Sequence, residues 1–228
     1  IMWIEGLASV QDENGADAVV AHYVREGSKG ERAEHGIALW TEEQRFERIV
    51  VLGEEYEWQF PSGQAVRQRT NEQDWCYFAS PFCHVRCPAR LDAVRNPAAY
   101  QALTWDSSAK APVWQQTLPP MTQRDESSWV AEGRVQHPHT QVEDHATRKP
   151  VPVLDASIEW NPHHRCYIMI AASVDGDIWM AESTQIEGPW QRAIRIVNAE
   201  PGMCTKPVQH PFMNQEGGRI IWFETALL

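Results

Sequence analysis

The stretch "SIEWNPHHRCYIMIAASVDGDIWMAESTQIEGPWQRAIRIV", residues 157–197, constrains this chain more than any other part of it. It reads as strand, turn, strand, Asp-Gly turn, strand, loop and strand. Each strand-like run is short, rich in β-branched and aromatic residues, and bounded by Asn, Pro, Asp or Gly. Four antiparallel strands in about 40 residues is the size of one propeller blade.

The pattern returns elsewhere in part. Residues 7–52 read as four strands, with the Asp12-Glu13-Asn14-Gly15 turn after the first. "QAVRQRTNEQDWCYFA" and "KPVQHPFMNQEGGRIIWFET" each read as the first two strands of a further blade. "SSWVAEGRVQHPHTQVEDHATRKPVPVLD" reads as a hairpin completing a blade or as an inserted loop, and the best helical segment is 88–101, with Asn96-Pro97 as its start signal. The fold class expected is therefore all-β, a five-bladed β-propeller forming a single domain over 1–228. Blade starts near 7, 64, 157 and 207 are uneven, and the last meander stops after two strands. The chain also begins with Ile1 rather than Met. It is thus expected to be a fragment of about four blades, incomplete at one or both ends.

Composition narrows the partners. The formal net charge is -11 and no Lys/Arg stripe is present, which argues against nucleic acid. No apolar run reaches the roughly 18 residues that a membrane-spanning helix needs, so no membrane insertion is expected. The five cysteines exclude a full disulfide framework. Cys76, Cys83 and Cys87 lie in "CYFASPFCHVRC", a spacing unlike the close pairs of structural zinc sites; they read as buried thiols, with no metal or other cofactor expected. "HPHTQVEDH", with His137, His139 and His145, reads as a solvated loop. Tryptophan is the compositional outlier, with 11 copies. Indoles either pack blades together or stack on the apolar face of a sugar.

"AES" followed by "GPW", residues 181–190, resembles blades of five-bladed propellers of glycoside hydrolase family 43 and related families. A wider resemblance is carried by "WIEGLASV", "NPAAYQALT", "GDIWMAES" and "KPVQHPFMNQEGGRIIWFE", and most specifically by Gln209-His210-Pro211-Phe212 and Gly217-Gly218-Arg219. These are similar to a bacterial group of glycosidase-like propellers with no settled activity. The resemblance implies a glycan or oligosaccharide partner at a central funnel and, if the chain is an enzyme, hydrolysis by paired carboxylates. The alternative is a propeller that binds glycans or other partners without catalysis. With the acidic surface, the resemblance points to a periplasmic or secreted bacterial protein.

Hydrolases of this fold use three carboxylates, and this chain supplies them at only some first strands. The catalytic candidates are Asp155 and Glu159, which share one face of a strand with Ser157, and Glu182 and Glu224, which close the strands "DIWMAES" and "RIIWFE". Their alternative roles are turn capping, ion pairing and anchoring of a blade. Glu5, Arg67, Trp160 and His210 are the substrate-binding candidates. His210 suits a sugar hydroxyl, and Arg67 suits a uronate or a structural ion pair.

Overall fold

The computed structural model describes residues 2–28, 31–56, 58–59, 63–79, 81–199 and 202–227. It is all-β, with five sheets in which every strand pairs antiparallel with a neighbour in sequence. This is the strand organisation of a propeller-like β fold. The chain divides into two compact units: Ile1–Ala79 with His84–Pro120, and Ser80–Cys83 with Met121–Leu228.

The first unit begins with a meander of β1 (Met2–Gln11), β2 (Asp17–Glu26), β3 (Arg32–Trp40) and β4 (Phe46–Val51). Its first turn is built as the sequence suggests: Asp12 Oδ1 accepts the amides of Asn14 and Ala16, both at 2.8 Å, and Gly15 takes φ 79°. A five-stranded sheet follows, of β5 (Ala65–Thr70), β6 (Gln73–Phe78), β7 (Val85–Pro88), β8 (Gln101–Asp106) and β9 (Ala111–Gln115). Val10, Val20, Ile37, Cys76, Val85, Cys87 and Tyr100 form the core of this unit. Each large apolar side chain so buried contributes roughly 1.5–3 kcal/mol. Between β7 and β8 the helical segment expected at 88–101 is shorter than that span, comprising the single turn α1 (Leu91–Val94) and a 3-10 turn over Pro97–Ala99, which Asn96 caps.

The second unit contains the blade-like repeat as read: β12 (Val153–Asn161), β13 (Cys166–Ser173), β14 (Ile178–Ser183) and β15 (Gln191–Val197), in sequential order. All eight residues of β13 are buried, so this strand is covered on both faces and reads as a continuous apolar run. β16 (Cys204–Gln209) pairs with β17 (Phe223–Leu227) and packs on β12 and β13. The packing is sewn by polar contacts: Gln209 N donates to Ser157 Oγ at 3.0 Å, and its side-chain amide donates to the carbonyls of Ser157 and Ile168.

The segment read as one blade-completing hairpin differs. It opens inside the helix α2 (Gln123–Ala131), which covers its first five residues, and only β10 (Val142–Glu143) and β11 (Pro150–Val151) form a short hairpin. A capping box at Thr122 and Asp125 starts the helix. Glu126, 1% exposed, ties it to the following loop by accepting the amides of His139 and Thr140 and the Thr140 hydroxyl, at 2.6–2.9 Å. All five cysteines are buried free thiols. Among the described residues no helix is long and apolar enough to cross a membrane.

Candidate functional site

The carboxylates of the second unit are arranged by the register of β12, β13 and β14. Pairing from Asp155 to Asn161 is unbroken, so Asp155, Ser157 and Glu159 do share one face. They do not form a close pair, however. Four residues of extended strand separate Asp155 from Glu159 by about 13 Å, and Ser157 between them is fully buried under Gln209.

Glu159 stands directly opposite Ile168, which in turn stands opposite Glu182. The two glutamates therefore occupy one row on one face, with Cα atoms about 10 Å apart, two interstrand spacings. Ile168, 2% exposed, fills the position between them.

Glu159 is half-buried, and that burial raises its carboxyl from the ordinary range to about 7. The fully buried Cys83 thiol is pushed well above its usual value by burial first, and then by the charges of Glu187 and Glu159. Two carboxylates thus lie near one buried thiol. Glu187 was not among the sequence candidates; it sits in the β14–β15 loop directly before Gly188-Pro189-Trp190, whose Gly188–Pro189 bond is cis. The motif that carries the resemblance therefore places this second carboxylate, although as a pattern it reads only as a turn.

Glu182 lies at the mouth of a cleft of about 280 Å³. Its Oε1 is 2.8 Å from Arg192 Nη1, and its Oε2 is 4.0 Å from Cys166 Sγ. Glu224 is largely exposed and sits 3.6 Å from His210 Nε2. The His210 ring packs edge-on against Phe212. Trp160 keeps 45% of its surface exposed while its ring packs edge-on against Tyr167, with centroids 5.1 Å apart.

In the first unit, Arg67 is engaged by two acids, Asp74 at 2.9 Å and Asp17 at 3.0 Å, so its guanidinium is held in ion pairs. Glu5 sits at the β1 bulge, where Gly63 N donates to its carbonyl, and its carboxylate is 3.9 Å from His22 Nδ1. Burial, then the neighbouring His35 and Arg32, lower His22 to about 4, so the imidazole is neutral near pH 7.

No protein-family model matches the chain, and no curated protein matches it in sequence. Among solved structures it is similar to a provisionally assigned hydrolase from Bacteroides ovatus, with a TM-score of 0.52 at 11% identity over 95% of this chain and 52% of that one. An exo-β-1,3-galactanase from Phanerochaete chrysosporium, crystallised with β-1,3-galactotriose, matches with a TM-score of 0.42 at 11% identity, over 90% of this chain and 39% of that one. The chain thus spans about half the length of the Bacteroides structure, and what it shares with that protein is the fold.

Proposed function

We propose that the chain belongs to a five-bladed, glycosidase-like propeller that binds a glycan and hydrolyses a glycosidic bond, with Glu159 as general acid and Glu187 as its partner base. The observation that carries this reading is Glu159 itself, a half-buried carboxyl on the first strand of the best-formed blade, raised to about 7. A general acid for a sugar leaving group must be protonated near neutral pH, and burial is the usual means of keeping it so. The partner base must stay ionised within reach of the same bond. Glu187 is chosen for that role because, like Glu159, it acts on the buried Cys83 thiol of the same unit. Asp155, Glu182 and Glu224 fit less well: the first is about 13 Å along the strand, the second is tied to Arg192, and the third is an exposed neighbour of His210.

The two roles separate by leaving group. Protonation matters for poor leaving groups and little for activated aryl glycosides. On a panel of oligosaccharides and nitrophenyl glycosides, Glu159→Gln is expected to lose about 10²–10⁴-fold on the former and far less on the latter. Glu187→Gln is expected to lose comparable rates on both. Equal turnover by wild type and Glu159→Gln on every substrate cleaved would remove Glu159 from the acid role.

A second reading, a propeller that binds glycans without cleaving them, is favoured by Trp160, whose exposed indole on β12 offers a stacking platform. It predicts saccharide binding that Trp160→Ala weakens, with no turnover on the same panel.

A further inference from the structure

The cleft beside Glu182 is lined by two arginines, Arg165 and Arg192, in a chain of net charge -11. It is lined by the β12–β13 turn, the β14–β15 loop and the first residues of β13 and β15, among them His164, Arg165, Cys166, Thr184, Gln191 and Arg192. Arg192 is neutralised by Glu182 at 2.8 Å. Arg165, which lines the same cleft, is exposed.

Both arginines sit on left-handed backbone, at φ 55° and φ 51°. That conformation favours Gly or Asn and costs an ordinary side chain on the order of 1 kcal/mol. Packing does not offset the cost, because both side chains are exposed. The turn is nevertheless held rigidly. Buried Asn161 accepts the amide of His164 at 3.0 Å, donates to the Gly218 carbonyl at 2.8 Å, and takes the Arg165 amide on its own carbonyl at 2.8 Å. The opposite wall is fixed by Ser183 Oγ, which accepts the Gln185 amide at 3.1 Å. One arginine on a pinned turn and one at the start of β15 thus line the same monosaccharide-sized space, where they can meet a planar oxyanion.

We infer that this cleft binds the carboxylate of an acidic sugar, a hexuronate residue, with Arg165 as its principal contact, Arg192 shared between Glu182 and the ligand, and Thr184 and Gln191 lining the cleft beside the ring hydroxyls. Guanidinium forks match planar carboxylates in two parallel hydrogen bonds, whereas an ammonium acts as a point charge. The saccharide part of this inference rests on the carbohydrate reading above, while the oxyanion part stands on the cleft alone.

The test titrates methyl β-glucuronide, methyl β-glucoside and inorganic sulfate into the intact Glu159→Gln protein, followed by NMR shifts of cleft amides. Using that variant separates binding here from any hydrolytic role of Glu159. The glucuronide is expected to bind at least about 10-fold more tightly than the glucoside, one charge-assisted pair being worth that much. Arg165→Gly is expected to remove most of that preference while leaving the thermal midpoint unchanged or higher, since glycine suits φ 55°. Arg165→Lys is expected to recover only part of it. Equal binding of glucuronide and glucoside, or an Arg165→Gly protein that binds as well as its parent, would overturn the inference. Sulfate binding as tightly as the glucuronide would overturn its saccharide part.

Discussion

At the residue scale, the raised carboxyl of Glu159 and the lowered carboxyl of Glu126 show how burial alone does not decide a titration. Burial by itself pushes Glu126 up, yet hydrogen bonds from His139 and Thr140 outweigh it and hold the group near 2. Glu159 has its carboxyl raised to about 7 by burial. The consequences for stability have opposite signs. Between an unfolded value near 4.5 and a folded value near 7, the native state binds the extra proton, so the stability linked to Glu159 is present below pH 4.5 and lost as pH rises through 7. Glu159→Gln should therefore be more stable than wild type at pH 8, by on the order of 1–3 kcal/mol, and show little difference at pH 4. Urea melts at the two pH values check this; equal differences at both would mean the carboxyl titrates normally in the fold. A carboxyl that costs stability once ionised, yet is kept half-buried, is what a site retained for chemistry looks like.

At the element scale, the strands were legible because their signal is local. Period-two patterning and turn residues such as Asp175-Gly176 need no knowledge of the rest of the chain. Helix α2 was not legible in that way: "QRDESSWVA" is polar in its first six residues and carries little amphipathic periodicity, although its Thr-x-x-Asp cap was present to be read. The reason it holds is long-range, since Glu126 reaches 13 and 14 residues ahead to His139 and Thr140. Glu126→Ala should leave the Thr140 hydroxyl and two amides without their acceptor and cost about 2–4 kcal/mol, seen as a lowered melting midpoint at pH 7. The linked stability is present above about pH 4.5 and lost as pH falls toward 2, so the penalty of the variant should shrink in strong acid. A midpoint within a degree of wild type at pH 7 would show the clamp to be dispensable.

At the scale of the whole molecule, the four-stranded meander of 157–197 was readable down to its turns, and it orders the candidate site. The individual site residues were less so. Asp155 and Glu159 share a face as their spacing implies, but only the three-dimensional contact of Ser157 with Gln209 shows the space between them to be filled. Arg67 suited a uronate or an ion pair from sequence alone; its pairing with Asp17, 50 residues away, has no local signal. Glu187 was hidden in a Gly-Pro turn because nothing local reports that its charge reaches Cys83. Carboxylate chemistry depends on burial and on neighbours distant in sequence, and neither has a periodicity to read.

The most direct test of the account is the pH dependence of kcat/KM for whichever oligosaccharide the chain cleaves, measured for wild type and Glu159→Gln. The account predicts a wild-type descending limb with its midpoint near 7, where Glu159 loses the proton it donates, and the disappearance of that limb in the variant. A descending limb that survives unchanged in Glu159→Gln, or a rate that stays level across this range in wild type, would contradict it.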